Sequence, residues 1–262
     1  MVADWEYSYN GLTFGAAQSV GVMSATGLEP PDYREDISVR MGEHGGYVFA
    51  QYVDPRRVIF ELDLISAGGT DAFTLYHTMK AAFVPQSANL PLVFKWPGQV
   101  QRRINCVPSR IAFPIDRDMQ IGNARSHVEL IAGDPRIYAD TASTAAITTS
   151  GATIVANNAG DAPTLFNNAV ITGPGTTFTI RDNADAARTV VVNTTLTAGQ
   201  TMTINFIDRT IVKSDGSSLY PSLAITSQWW ALNPGNTTVL FTVGSGATGA
   251  TRLDMTWRSA WW

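Results

Sequence analysis

The stretch RTVVVNTTLTAGQTMTINFIDRTIV, residues 188–212, decides how the second half of this chain folds. Within it Met202, Ile204 and Phe206 fall on one side of an extended chain, and Thr201, Thr203 and Asn205 on the other. That two-residue period is the mark of a half-buried strand. Thr197-Ala-Gly-Gln200 interrupts the run with turn-forming residues. The same texture continues outward. TTFTIRD lies before it, and RTIVKS, SSLYPSL, TTVLFTV and RLDMTWRSAWW overlap or follow it. They are separated by Asp215-Gly216, Pro234-Gly235-Asn236 and Gly244-Ser-Gly246. Short strands at regular spacing with turn signals between them predict an antiparallel sandwich. The frequent Thr suits its outer faces, being β-branched and polar.

The first half reads differently. RVIFELDLI (57–65) places Val58, Phe60, Leu62 and Leu64 on one face and Glu61 and Asp63 on the other. GGYVFAQYV (45–53) is a second strand of the same kind. Phe73, Tyr76, Met79 or Lys80, and Phe83 then recur at helical spacing before Pro85, which predicts one helix of about four turns. LPLVFKW, RRINCV, SRIAFPI and HVELIAG return to short strands. The region 21–46 has no clear period and is expected to be an extended arm or long loop.

Charge and threonine content change between the halves. Residues 1–139 carry 12 Lys+Arg and 15 Asp+Glu, against 6 and 7 in 140–262, while Thr rises from 5 to 24. The shift predicts two domains, 1–139 and 140–262, with ADTASTAAITTSGAT (139–153) as linker. The chain is therefore expected to be mainly β: a β-rich α+β domain with one helix, then an antiparallel β-sandwich.

The residues for chemistry are sparse. The net charge of −4 gives no reason to expect a nucleic acid or an anionic membrane as partner. No run approaches the roughly 18 apolar residues of a membrane span, and the N-terminus lacks the pattern of a signal peptide. Cys106 is the single cysteine, so an intrachain disulfide is excluded, and its apolar surroundings predict a small buried residue. His44, His77 and His127 are the only histidines and show no ligand spacing, so no metal or cofactor is expected. The second half contains no Glu, and Asp116 and Asp118 read as a turn rather than as an acid–base pair. The aromatic residues point to contact instead of catalysis. Trp229 and Trp230 are the candidate residues for a carbohydrate or subunit contact, with alternation sending them to opposite faces.

Four segments carry a resemblance. DPRIYAD (134–140) closes the first domain and NNAGDAPT (157–164) opens the second. DGSSLYPSLAITSQWWALNPGNTTVLFTV (215–243) follows, and RLDMTWRSAWW (252–262) ends the chain. In this order they resemble the distal tail protein (Dit) family of long-tailed siphophages, in the form common in phages of actinobacteria. The resemblance implies a ring-forming first domain and a galectin-like β-sandwich second domain. It implies a homohexameric ring in the virion's tail tip, made in the cytoplasm of a bacterial host. The implied partners are the major tail tube protein, the tape-measure protein, a tail-associated hub protein and the tail fibres, with no enzymatic activity. Region 21–46 would be the arm gripping a neighbouring subunit. A galectin's His-Asn-Arg sugar-recognition set is missing, so lectin activity does not follow. The alternative expectation is an adhesin module that binds host cell-wall glycan.

Overall fold

The computed structural model describes residues 1–66 and 69–262, which fold into two compact units, Met1–Asp140 with Trp262, and Thr141–Trp261.

In the first unit the strands are β1 (Glu6–Tyr9), β2 (Leu12–Gly15), β3 (Val20–Thr26), β4 (Tyr33–Val39), β5 (Gly46–Val53) and β6 (Arg56–Ile65). After helix α1 (Gly69–Ala82) come β7 (Leu90–Phe94), β8 (Arg102–Ala112), a single turn α2 (Arg117–Gln120), β9 (Asn123–Ala132) and β10 (Ile137–Ala139). The main sheet runs β2-β1-β7-β8-β9-β6-β3, all antiparallel, with β10 added to β8. β8 is the corner strand. Its first half pairs with β7 and its second half with β9, and the pairing shifts between Pro108 and Arg110. A proline is tolerated there because a bulge needs no ladder hydrogen bond from it.

The alternation in β6 is realised in full: Val58, Phe60, Leu62 and Leu64 are all buried, beside Val128 and Leu130 of β9. Phe60 meets Tyr7 and Phe14 edge-on at 5.0 and 5.2 Å, and Phe83 from the end of α1 stacks on Tyr9 at 5.3 Å. The helical stripe is displaced from the expected one. Ala72, Met79, Ala82 and Phe83 face the core, whereas Phe73 is 41% exposed. Small alanines let the helix approach the sheet, so its larger aromatics turn outward.

The second unit has two sheets. The strands are β11 (Ser143–Ile147), β12 (Thr153–Asn158), β13 (Phe166–Thr172), β14 (Gly175–Asp182), β15 (Thr189–Leu196), β16 (Thr201–Asn205), β17 (Thr210–Lys213), β18 (Gly235–Ser245) and β19 (Arg252–Trp257). One sheet is ordered β11-β19-β13-β16-β17 and the other β12-β18-β14-β15. Their inner faces enclose one core containing Phe166, Phe178, Phe206, Phe241, Trp230 and Trp257. Met202, Ile204 and Phe206 point into it as their spacing requires.

Two sequence expectations are corrected. The stretch read as a linker contains β11, which pairs with β19 from Ser143–Trp257 to Ile147–Leu253. Its Ser, Thr and Ala suit an edge strand that buries little more than Ile147. The arm region likewise contains β3, an edge strand of the main sheet, and the hairpin β4–β5, rather than irregular loop.

NNAGDAPT binds the last residues of its own unit. Asn158 is buried at the end of β12. Its amide nitrogen donates to the carbonyls of Ala162 (2.8 Å) and Leu232 (3.3 Å). Its side-chain oxygen accepts from the N–H groups of Gly160 (3.2 Å) and Ala260 (3.1 Å). Ala159 N–H donates to Ser259 Oγ at 3.0 Å, and Trp257 Nε1 donates to Asn157 O at 2.9 Å. A Cβ on Gly160 would lie 1.7 Å from Ala260 O, so close backbone approach, not conformational freedom, requires glycine here.

Candidate assembly surfaces

The hairpin β4–β5 forms a two-stranded sheet of its own. Its register runs from Tyr33 opposite Val53 to Val39 opposite Gly46, with a shift between Glu35 and Ile37. Cross-strand pairing and alternation place Tyr33, Ile37, Val39, Val48 and Val53 on one side, and Tyr47 and Tyr52 on the other, where Phe49 lies 6.4 Å from Tyr47. Both sides thus carry exposed apolar side chains, aliphatic on one and aromatic among Arg34 and Arg40 on the other: Val39 is 77% exposed, Phe49 65% and Met41, at the tip, 99%.

An isolated two-stranded ribbon is marginally stable in water. Local contacts hold this one. Arg40 lies over the Tyr47 ring at 4.4 Å, Gln51 Nε2 donates to Glu35 Oε1 at 3.1 Å, and Arg34 faces Asp54 at 3.4 Å near the base. Exposed pairs of this kind contribute little each. So many exposed apolar side chains on one element make it a candidate interaction site.

A second apolar surface lies on the outward side of α1. Phe73, Tyr76 and Phe113 form a chain of edge contacts at 6.4 and 5.0 Å, with His77 against Tyr76 at 5.2 Å. Ile115 and Ile121, which flank α2, are both strongly exposed.

The structure distributes the other candidate residues. Trp230 is 5% exposed and meets Phe166 edge-on at 5.3 Å, with the Arg188 guanidinium over its ring at 5.1 Å. It is a core residue of the second unit. Trp229 is half-buried and packs edge-on against Phe206 at 5.3 Å. His127 pairs across the β6–β9 ladder with Glu61 (Nδ1 to Oε1, 2.7 Å). His77 lies on α1 and His44 in the exposed turn between β4 and β5, so the three histidines do not converge. Asp116 caps α2, accepting from Met119 N–H at 3.2 Å, and Asp118 lies in that same turn. Among the described residues no group of three His, Cys, Asp or Glu is placed to hold a metal ion. Cys106 is fully buried, and burial pushes its thiol up to about 12. Among the described residues no helix is long and apolar enough to cross a membrane.

DPRIY builds a corner after β9. Asp134 accepts from the Arg136 backbone N–H (3.1 Å) and Nε (2.8 Å), and from the Tyr138 hydroxyl (2.6 Å). Burial alone would raise this carboxyl. The hydrogen bonds from Arg136 and Tyr138, with the Arg136 charge, outweigh it and hold the group below its ordinary 3.8.

Residues 159–261 match the family model described as the siphovirus-type tail component, C-terminal domain. No curated protein matches the chain. Among solved structures the chain is similar to the Dit protein of phage SPP1, described as a paradigm of the hub adsorption apparatus in phages infecting Gram-positive hosts. The TM-score is 0.73 at 16% identity, covering 96% of this chain and 97% of that one. It is also similar to a chain of the phage P2 baseplate in its activated conformation with Ca, with TM-score 0.56, 9% identity and 97% of both chains covered. Residues 159–261 thus carry a domain of the siphovirus-type tail component family, and the chain's mainly β fold is that of these solved structures. At these identities the likeness to the solved structures shows a shared fold.

Strand β5 was legible in the sequence, but its partner β4 and the exposure of both were not. The signal was present: Tyr47, Phe49 and Tyr52 alternate apolar and polar less cleanly than β6 does, and no polar face emerges. The aromatic surface of α1 went unseen because the helical stripe was assigned to the core.

Proposed function

We propose that this chain forms a closed ring of six copies at the distal end of a siphophage tail. The ring joins the tail tube to the baseplate hub and tail fibres and lies against the tape-measure protein. The observation that carries the proposal is the β4–β5 ribbon, which exposes apolar side chains on both sides in the single chain. Such a ribbon is a heterologous contact element: it leaves its own subunit to be buried on another, and repetition of one such contact by rotation closes a ring. The first unit, which carries the ribbon and the α1 surface, supplies the ring. The second unit, a galectin-like sandwich, lies at the periphery. The family likeness supports the position at the tail tip, and the number six rests on the resemblance. In the adhesin alternative Trp230 would stack on sugar, and its place in the core speaks against it.

The test is the mass of the purified chain by light scattering across a concentration series, with negative-stain imaging of tail tips. The expected result is a species of six times 28.3 kDa and a ring at the tip. A monomer at every concentration, with no ring at the tip, overturns the proposal.

A further inference from the structure

Arg56 is the first residue of β6, directly after the ribbon, and only 4% of it is exposed. Its Nε donates to Pro135 O at 2.6 Å. Its Nη1 donates to Gly27 O at 3.2 Å and to Glu29 O. Gly27 and Glu29 belong to the leg that leads into the ribbon, Arg56 to the leg that leads out, and Pro135 to the DPRIY corner. One guanidinium therefore ties both legs to the body. All three acceptors are main-chain carbonyls, and among the described residues no carboxylate bonds to it. Burial pushes the Arg56 pKa down, and the nearby Glu29 charge opposes this only in part.

A buried cation held by carbonyls alone is an expensive way to stabilise a fold, because desolvation offsets much of what the bonds gain. Its distinctive contribution is geometric: a planar fork fixes several acceptors in one arrangement. The surrounding residues serve the same end. Gly27 has φ +86°, and a Cβ there would lie 1.8 Å from Arg57 O, so the incoming leg runs hard against β6. Pro30, Pro31 and Pro55 line a cavity of about 360 Å³ at this root, and each locks its own φ.

We infer that Arg56 is the positioning residue of the ribbon: it fixes the direction in which β4–β5 leaves the body and so the place where a second copy of the chain receives it. The inference rests on the ring reading above for its consequence and on the root geometry alone for its mechanism.

The experiment compares Arg56→Met, Arg56→Lys and, as control, Arg57→Met in the full chain. Arg57 lies beside Arg56, but its ion pair is with Glu129 on the sheet surface. Hydrogen exchange is followed in the dilute chain, and assembly by light scattering. In Arg56→Met, amide exchange across residues 27–55 rises about tenfold or more, the loss expected for bonds from a charged donor, while Val58–Leu64 keep their protection. The concentration for half-assembly rises by a similar factor. Arg56→Lys keeps the charge without the fork, so it gives an intermediate rise in ribbon exchange, and it decides the matter if the Met variant does not fold. Arg57→Met behaves as wild type. Unchanged exchange in the ribbon, or an equal rise in ribbon and β6, overturns the inference. If the wild type never assembles, the ring reading fails, and the exchange pattern still decides the role of Arg56.

Discussion

Replacing Gly160 with Ala adds one methyl group at the point where NNAGDAPT meets the end of its own unit. The new Cβ would stand 1.7 Å from Ala260 O and 2.4 Å from Ala260 C. Both are backbone atoms, so no side chain can rotate away. To reach ordinary contact near 3.4 Å, the two segments must separate by more than an ångström. Four hydrogen bonds cross that gap or hold its edge: Ala162 N to Ala260 O (3.0 Å), Ala260 N and Gly160 N to Asn158 Oδ1, and Ala159 N to Ser259 Oγ. At about 1 kcal/mol net for each bond, losing two to four costs roughly 2–4 kcal/mol. For a unit of this size that corresponds to a fall in Tm of roughly 8–15 °C. Thermal unfolding of the full chain followed by Trp fluorescence reads it, because Trp230 and Trp257 are buried in the same core and Trp257 donates to Asn157 O. Gly249→Ala is the control, since no atom lies within 4 Å of its Cβ position. A Gly160→Ala chain within about 0.5 kcal/mol of wild type, the range of a neutral surface change, would refute the close-approach argument.

Three further outcomes are expected. Phe49→Ser should leave the Tm of the single chain nearly unchanged, because Phe49 is 65% exposed, and should weaken self-association about tenfold or more, from the roughly 1.5–3 kcal/mol of burying Phe at a contact; light scattering measures it. Asp134 has a folded pKa below its ordinary 3.8, so its contribution is present at neutral pH and is lost as pH falls below that value. Asp134→Asn should therefore lower stability at pH 7 and flatten the acid limb of a urea-midpoint-against-pH plot, and an unchanged limb would count against the DPRIY corner. Cys106, fully buried with its thiol pushed up to about 12, should resist thiol reagents at pH 8 until urea unfolds the first unit, so a wild-type chain labelled at the rate of a free thiol would contradict its burial.

What could be read from sequence tracks how strongly each segment is constrained by its own unit. β6 and β16 alternate cleanly because one face of each lies on a core and the other does not, so Phe60 and Phe206 were placed correctly from period alone. Asn10-Gly11 between β1 and β2 is an equally local signal, with φ of 46° and 83° suited to a two-residue hairpin turn. β11 escaped notice because an edge strand of Ser, Thr and Ala has the composition of a linker, and only its partner β19 makes it a strand. The two tryptophans show the limit of alternation. It sends Trp229 and Trp230 to opposite faces, but it could not say that Phe206 meets both of them and Phe166 meets Trp230.

The ribbon defeats the same rules for a different reason. Period-based reading assumes that a strand has one buried side and one wet side, and β4–β5 has no buried side in the single chain. Its Ile37, Val48, Tyr47 and Phe49 look like core residues in composition and are exposed in place. A sequence that is locally consistent everywhere else and inconsistent at one element is marking that element as functional. In the proposed ring a second copy would resolve the inconsistency, since apolar side chains on both sides of a thin ribbon can be buried only between two bodies. The expensive cation at its root fits the same logic: burial and charge oppose each other at Arg56 because the direction of the ribbon, not the stability of the unit, is what that residue secures.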